Sequence, residues 1–387
     1  MRKKIAILSI SILLIMSGAA ISPALGSISE TFNDVNELLI KMILTLSSML
    51  IIPASIISGK LAMKVKKRSL LITGMCIYLI GGVGGGFATN IYILLMFRAL
   101  LGIGVGLILP LSTGLIVDFF NGEERKKMMG YSTAVNNLGA VIAIVLSGML
   151  SSINWHFAFG VYLIGFVSLF LVIFLLPEPE NKVSVQKSHS PLNKEVYKLM
   201  LSIAVVNIVF YSVPTNIAIL IKTQQLGSTS ISGFVIATLN LTSFIAGMFF
   251  NKISAFFKKY TSIFALLMMF VGYAILSLSK SLIQMEIALF FIGLGLGIIL
   301  PLIFIATGKS VPLKDSTFAM ALVNSSMYLG QFLSPILVSS AASYLGSTSI
   351  KFPFQFSAAL MLISLLVTAY IVNAQKVNTT TSLYLYF

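Results

Sequence analysis

Twelve apolar stretches, each long enough to cross a membrane, constrain this chain more than any other feature. A hydrocarbon core of roughly 30 Å needs about 20 apolar residues in helical conformation. Backbone groups inside a bilayer must be satisfied within the protein, so each stretch is predicted to be a transmembrane α-helix. The predicted spans are 5–28, 38–62, 70–89, 92–117, 128–150, 155–177, 199–221, 230–253, 260–279, 283–307, 316–340 and 353–373.

The sequence also repeats itself with an offset of 191 residues. Gly-Ile-Gly-Val-Gly-Leu-Ile-Leu-Pro-Leu at 102–111 corresponds to Gly-Leu-Gly-Leu-Gly-Ile-Ile-Leu-Pro-Leu at 293–302, and Pro23 corresponds to Pro214. A fixed offset indicates a duplicated structural unit. The predicted fold class is therefore an all-α membrane protein, with twelve transmembrane helices in two six-helix bundles related by a pseudo-two-fold repeat. The predicted divisions are an N-terminal bundle at 1–178, a cytoplasmic linker at 179–198, a C-terminal bundle at 199–375 and a tail at 376–387.

Basic residues set the predicted orientation. Lysine and arginine concentrate on the cytoplasmic side of membrane proteins. With a cytoplasmic N-terminus, all but five of the 26 basic residues lie on that side; the exceptions are Lys41, Lys222, Lys280, Lys351 and Arg98. We therefore expect a multi-pass protein of the plasma membrane with both termini in the cytoplasm. The net charge of +15 reflects this asymmetry and does not indicate nucleic-acid binding.

Enzymes and cofactor-dependent proteins are excluded by what the sequence lacks. It has one cysteine and two histidines, too few for a metal site of their own. No Walker loop is present, and Gly102-x-Gly104-x-Gly106 lies in an apolar helix rather than after a strand, so it is not a dinucleotide fingerprint. We predict no enzyme activity, no metal and no cofactor.

The segment between the second and third spans resembles a signature of the major facilitator superfamily. That signature reads Gly-x-Leu-Ala-Asp-Arg-x-Gly-Arg-Arg, and this chain has Gly59-Lys-Leu-Ala-Met-Lys64-Val-Lys-Lys67-Arg68. Met63 replaces the aspartate that helps to latch the cytoplasmic side in the family, and this departure concerns the latch rather than the expected fold. The resemblance covers about residues 5–373. It implies a conformational gate that includes Gly59, Lys64, Lys67 and Arg68, with Asp118 as an acidic partner of the basic loop.

The fourth span resembles the arginine-bearing helix of the same family, written R-x-x-x-G-x-G, through Arg98, Gly102 and Gly104. A charge at the bilayer centre costs roughly 2.5–3.5 kcal/mol on insertion scales, so Arg98 should face a cavity or a partner. The alternative is an arginine that snorkels to the outer interface. Glycines in apolar spans allow close helix packing. We assign them to the gate together with one proline: Gly102, Gly104, Gly106, Gly139, Gly293, Gly295, Gly297 and Pro335.

The fifth span bears on the direction of transport. Family antiporters often carry G-x-x-x-G-P-x-x-G-G there; this chain keeps Gly139 and Gly148 but has Ile144 in place of the proline. The export signature is therefore degraded. Its repeat partner in the eleventh span has the proline, as Pro335.

Substrate contacts follow from the resemblance, which implies that the first, fourth, seventh and tenth spans line the cavity. The candidates on those spans are Ser17, Arg98, Tyr211, Asn216 and Thr307. A second group lies on the fifth and eleventh spans: Asn136, Asn137, Asn324, Tyr328 and Gln331. For each of them the alternative is an interhelical hydrogen bond that has no transport role.

Coupling to protons generally needs a carboxylate in the membrane. Glu286 is the only acidic residue well inside a span, although it could be an interface charge. Either Glu286 or Glu30 reaches the cavity, or another ion is coupled. Arg98 is the second candidate coupling residue.

The first hypothesis is a monomeric secondary transporter that works by rocker-switch alternating access and exports amphipathic drugs or small metabolites by proton antiport. Its partners would be a small-molecule substrate, protons and the lipid bilayer. The alternatives are an importer or uniporter of a small anionic solute bound through Arg98, and a non-transporting membrane sensor on the same fold.

Overall fold

The structure, a computed structural model, describes residues 2–16, 18–179 and 193–374, and these residues are almost entirely helical. The described chain groups into two units, Met1–Val185 with Ile221–Ala237, and Gln186–Leu220 with Thr238–Phe387. The first seven α-helices are α1 (Arg2–Met16), α2 (Leu25–Thr31), α3 (Glu37–Leu61), α4 (Lys67–Gly84), α5 (Ile91–Phe119), α6 (Gly122–Ser151) and α7 (Ile164–Leu175). The others are α8 (Lys194–Thr223), α9 (Thr229–Met248), α10 (Phe250–Phe257), α11 (Thr261–Leu278), α12 (Leu282–Lys309), α13 (Leu313–Tyr344) and α14 (Phe352–Ala374).

Eleven helical stretches in the described residues are long and apolar enough to cross a membrane. The remaining predicted span, 5–28, is not one continuous α-helix. It is divided into α1, a 3-10 segment at Ala19–Ala24 and α2. Pro23 lies inside the 3-10 segment, and a proline, having no backbone N–H, leaves one carbonyl of the preceding turn without its α-helical hydrogen bond. The predicted continuous first span is corrected accordingly.

Two of the other predicted spans differ from a single continuous α-helix. The span predicted at 230–253 ends at Met248, and after Phe249 the chain begins the separate eight-residue helix α10. The span predicted at 155–177 begins with a 3-10 segment, Trp155–Leu163, before α7. The predicted linker at 179–198 and tail at 376–387 lie largely outside the described residues, so the division into domains stays a prediction.

The sequence repeat is also a repeat of helix packing. In unit 1, a Cβ added at Gly81 of α4 would lie 2.3 Å from Leu101 N and 2.8 Å from Phe97 O. In unit 2, a Cβ at Gly272 of α11 would lie 2.9 Å from Ile292 N and 2.6 Å from Ala288 O. Each of these residues is related to its counterpart by the offset of 191. The duplicated sequence therefore builds the same close α4–α5 and α11–α12 contact twice.

Helix starts repeat in the same way. The side chain of Asn90 caps α5 by accepting a hydrogen bond from Ile93 N at 2.9 Å. At the equivalent position, Ser281 caps α12 by accepting from Gln284 N at 3.4 Å. Asn and Ser both suit this position because a side-chain oxygen satisfies a backbone N–H that has no partner within the helix. The two helices that carry the repeated Gly-x-Gly-x-Gly motif therefore begin at matched residues.

Candidate functional site

Arg98 is fully buried within unit 1, with 0% of its surface exposed. Its Nε donates a hydrogen bond of 2.8 Å to the Ile43 carbonyl in α3, and its Nη1 donates one of 2.8 Å to the Tyr162 hydroxyl. Ser47 Oγ donates in turn to the Arg98 carbonyl at 2.7 Å. The guanidinium group presents several N–H donors in a rigid plane, so one arginine can hydrogen-bond to more than one helix. Arg98 thus ties α3, α5 and the segment before α7 together, and it does not snorkel to an interface.

Aromatic rings surround the guanidinium. Its Cζ lies 5.8 Å from the ring centroid of Phe159 and 5.5 Å from that of Tyr162. Tyr78 meets Tyr162 edge to face, with 5.8 Å between their centroids. Ring faces attract a cation most strongly where water is absent. The surroundings of Arg98 therefore stabilise its charge from inside unit 1.

The predicted basic loop makes its contacts at one end of unit 1. Lys67 Nζ lies 2.7 Å from Asp118 Oδ2, which joins the start of α4 to the end of α5. The Arg68 guanidinium donates to the Ile173 carbonyl in the last turn of α7, and its backbone N–H donates to Glu178 at 3.2 Å. A cation near the last carbonyls of a helix also interacts favourably with the helix dipole. These contacts fasten three helix ends within the unit, and Met63, at the position of the family's aspartate, is exposed.

The remaining predicted gate residues fall into two classes. Gly102 and Gly106 contact the backbone of α3, since a Cβ there would lie 2.4 Å from Ser47 O and 2.7 Å from Ile51 O respectively. Four more predicted positions also lie close to a neighbouring backbone: Gly104 against Tyr78, Gly293 against Leu239, Gly295 against Ala265 and Gly297 against Ser243. Gly139 contacts the side chain of Ile12 instead. In contrast, Gly59 has nothing within 4 Å of such a Cβ, and Lys64 is exposed. Pro335 lies inside α13.

Two of the predicted substrate contacts in unit 2, Asn216 and Thr307, hydrogen-bond within their own helix. The Asn216 amide donates to Ser212 O and Thr215 Oγ1, both at 2.9 Å, and Asn216 is buried. Thr307 Oγ1 donates to Ile303 O at 2.8 Å, and Thr307 is also buried. Tyr211 is buried in α8.

The second group of candidates is less uniform. Gln331 in α13 donates to Asn207 Oδ1 in α8 at 3.3 Å, so it makes the interhelical bond that was the alternative reading. The side-chain amide oxygen of Asn136, Oδ1, is buried and has no hydrogen-bond partner among the described residues. Asn137, Asn324 and Tyr328 are partly exposed. Ser17 lies outside the described residues.

Glu286 lies one turn into α12 and is partly exposed. The Thr238 hydroxyl hydrogen-bonds to its carboxylate. Within the described part of the chain it forms no ion pair with lysine or arginine. A carboxylate that has a hydroxyl neighbour and no fixed cation can exchange a proton without breaking a salt bridge.

Sequence reasoning missed a group of contacts inside unit 1, between the segment 221–237 and the helices α2 and α6. Ser27 Oγ and Thr229 Oγ1 are 3.0 Å apart, and Lys222 Nζ lies 3.3 Å from Glu30 Oε2. A Cβ at Gly148 would lie 2.9 Å from Gly233 Cα. The sequence singles out Gly148 from its motif, Glu30 as a candidate coupling residue and Lys222 as a lysine away from the cytoplasmic side, but it predicts none of these contacts. The partner of Gly148, Gly233, lies in an ordinary apolar stretch whose sequence gives no signal of this contact.

Comparison with known proteins agrees with this architecture. Over 119 residues the chain is 37% identical to Multidrug resistance protein 3 of Bacillus subtilis (strain 168). The aligned region covers 30% of this chain and 23% of that protein. Over 306 residues it is 23% identical to the Multi-drug resistance efflux pump PmrA homolog of Lactococcus lactis subsp. lactis (strain IL1403), covering 74% of each. The first curated relatives are therefore matched over only about a quarter of their own length.

Among solved structures, a crystal structure of a D-xylose-proton symporter has a TM-score of 0.76 at 14% sequence identity, covering 94% of this chain and 96% of that one. Such low identity supports the fold alone. The sequence profile of the Major Facilitator Superfamily matches residues 7–335 and 199–382, nearly the whole chain. The members of this family are transporters rather than enzymes, as the sequence predicts. This multi-pass membrane protein belongs to the Major Facilitator Superfamily.

Proposed function

We propose that this protein is a secondary transporter that exports amphipathic drugs or small metabolites in exchange for protons. The observation that carries the proposal is the duplicated packing of glycine-rich helices, Gly81 and Gly104 in unit 1 and Gly272 and Gly295 in unit 2. Parallel repeats of this kind support alternating access, in which one half rocks against the other around a site near the midplane. The names of the relatives, which refer to multidrug resistance and efflux, favour export.

Alternating access by rocking requires the helices within each half to stay packed against one another. Glycines pack α4 closely against α5 and α11 closely against α12, and this close packing favours movement of each half as a rigid body. The ion pair between Lys67 and Asp118 and the buried network of Arg98 add polar ties inside unit 1. We propose the two bundles 1–178 and 199–375 as these bodies, with both termini in the cytoplasm of a plasma-membrane protein.

Glu286 is the proposed proton-coupling group. It is the only carboxylate well within a predicted span, it is partly exposed, and the Thr238 hydroxyl is its neighbour. A coupling carboxylate must bind a proton in one state and release it in the other. The absence of a lysine or arginine partner among the described residues leaves Glu286 able to do both.

The import hypothesis needed Arg98 to bind an anionic solute. The complete burial of Arg98 and its bonds to Ile43 and Tyr162 favour a framework role for it in unit 1. We therefore assign Arg98 to positioning the helices of unit 1 rather than to substrate binding.

Flux measurement in proteoliposomes tests the proposal. The protein is reconstituted, a pH gradient is imposed, and transport of a fluorescent amphipathic cation such as ethidium is followed for the parent and for Glu286→Gln. We expect gradient-driven flux in the parent and its loss in the variant, because glutamine cannot take up a proton. Glu195→Gln is the matched control, since Glu195 forms only an exposed pair with Lys198.

Two results would contradict the proposal in different ways. Parent flux that ignores the gradient would indicate uniport or another coupling ion. Gradient-driven flux that survives in Glu286→Gln would place the coupling proton elsewhere, and Glu30→Gln would then be the next variant to measure.

A further inference from the structure

The segment 248–260, between α9 and α11 of unit 2, combines exposed lysines with exposed aromatic rings. We name it the basic-aromatic segment. Lys252 and Lys258 are exposed and Lys259 is partly exposed, while Phe256 is 80% and Phe249 48% exposed. The chain contains no aspartate or glutamate from 196 through 285. The segment is therefore strongly cationic, and nothing within this part of the sequence can neutralise it.

Comparison of the two repeats shows that Lys258 lacks the acidic partner that its counterpart Lys67 has. Lys258 corresponds to Lys67 at the offset of 191, and Lys67 is neutralised by Asp118 at 2.7 Å. The position equivalent to Asp118 is occupied by Lys309, the last residue of α12, which is exposed. Where the first half has an ion pair, the second half has two cations. Within the described residues, neither Lys258 nor Lys309 forms a salt bridge.

The location of the segment suggests where an anion would come from. α9 and the stretch Phe250–Leu278 are both candidate membrane spans, so the turn between them lies at a membrane surface. Lys252 Nζ lies 5.6 Å from the ring centroid of Phe249, and Lys259 Nζ lies 4.9 Å from that of Tyr260. Short amphipathic helices with basic and aromatic faces lie in the interface, with their rings among the acyl chains and their cations among the headgroups.

The backbone fixes the position of Lys258. Its φ is 50°, in the left-handed region that residues other than glycine rarely adopt. Its N–H donates to Ser254 O, and its carbonyl accepts from Thr261 Oγ1 at 2.6 Å. Such a conformation persists only where the surrounding structure holds it. The lysine therefore leaves the helix end in one defined direction.

We propose that the basic-aromatic segment, together with Lys309, binds the headgroup of an anionic phospholipid of the surrounding bilayer. The headgroup phosphate would take the place that the Asp118 carboxylate has in the first half, between Lys258 and Lys309. Phe249 and Phe256 would lie against the acyl chains. This site does not depend on the transported substrate or on proton coupling.

Native mass spectrometry of the full-length protein, purified in detergent with an equimolar mixture of phosphatidylglycerol and phosphatidylcholine, tests the proposal. We expect the parent to retain phosphatidylglycerol selectively. Lys258→Gln and Lys259→Gln should each reduce this retention about fivefold, since each lysine near an anionic surface contributes about that factor. Lys280→Gln is the control, because Lys280 is an exposed lysine outside the segment.

Lys309→Asp gives a second, constructive test. This substitution rebuilds the pair of the first half at the equivalent position, so Lys258 gains a carboxylate partner and phosphatidylglycerol retention falls by at least as much as in Lys258→Gln. Equal retention of both lipids by the parent, or unchanged retention in all three variants, would overturn the proposal. Displacement of phosphatidylglycerol by millimolar inorganic phosphate would also overturn it, because the ligand would then be free phosphate rather than a lipid.

Discussion

The close contact between α4 and α5 can be tested with a single methyl group. A Cβ at Gly104 would lie 2.5 Å from Tyr78 N, 2.7 Å from Tyr78 Cα and 2.9 Å from Gly74 O, all of them backbone atoms. Ordinary contact between such atoms requires about 3.5 Å or more, so α4 and α5 must separate by roughly 1 Å in Gly104→Ala. Gly59→Ala is the matched control, since a Cβ at Gly59 meets nothing within 4 Å.

Both substitutions place an alanine inside an α-helix, so both gain about the same helix propensity, roughly 0.5–1 kcal/mol. The difference between them isolates the steric cost, which for an extra methyl in a packed core is about 1–3 kcal/mol. At about 2–4 °C per kcal/mol for a unit of this size, Gly104→Ala should unfold about 2–12 °C below Gly59→Ala. The measurement is thermal unfolding in detergent, followed by fluorescence-detected size-exclusion chromatography. Equal midpoints for the two variants would refute the close approach.

Three other perturbations follow from the same structure. Gly295→Ala should lower the midpoint about as much as Gly104→Ala, because a Cβ there would lie 2.4 Å from Ala265 O; an unchanged midpoint would contradict the repeat of packing. Arg98→Gln should cost about 3–6 kcal/mol of unfolding free energy, since it removes two buried hydrogen bonds that a charged group donates, and chemical denaturation measures this. Asp118→Lys should lower the midpoint, and adding Lys67→Asp should restore it; failure of the double variant to recover would mean that the pair contributes nothing.

Periodicity and composition predicted the membrane helices well because length and hydropathy are properties of each stretch alone. Eleven of the twelve predicted spans contain a helix long enough to cross a membrane in the described residues. The exception, 5–28, is divided because a proline and a 3-10 segment interrupt it. Pro110 and Pro301, in contrast, lie inside continuous helices. The sequence cannot tell these cases apart, since the outcome depends on how neighbouring helices satisfy the freed carbonyl.

The polar sites were harder to predict because a polar residue in an apolar span can either contact a substrate or hydrogen-bond within the protein. Gln331 and Asn216 are candidate substrate contacts; Gln331 also bonds to Asn207 and Asn216 to its own helix, and their role in binding stays a prediction. Arg98 was expected to face a cavity or a partner, and its partners are a carbonyl and a tyrosine. Ile43 gives no signal of this role in the sequence, since the group that binds is a backbone atom.

The repeat was the most informative feature, because it allows one half of the chain to be compared with the other. Positions where the halves agree, such as Gly104 and Gly295, identify packing that both halves need. Positions where they differ in charge point to what the halves do separately. Asp118 and Lys309 are such a pair: the same place in the fold carries an internal ion pair in one half and an excess of positive charge in the other. If that excess binds a lipid, the positive charge at this position is neutralised differently in the two halves. A carboxylate of the protein neutralises it in the first half, and a lipid headgroup does so in the second. A change in lipid composition would then act on the second half alone.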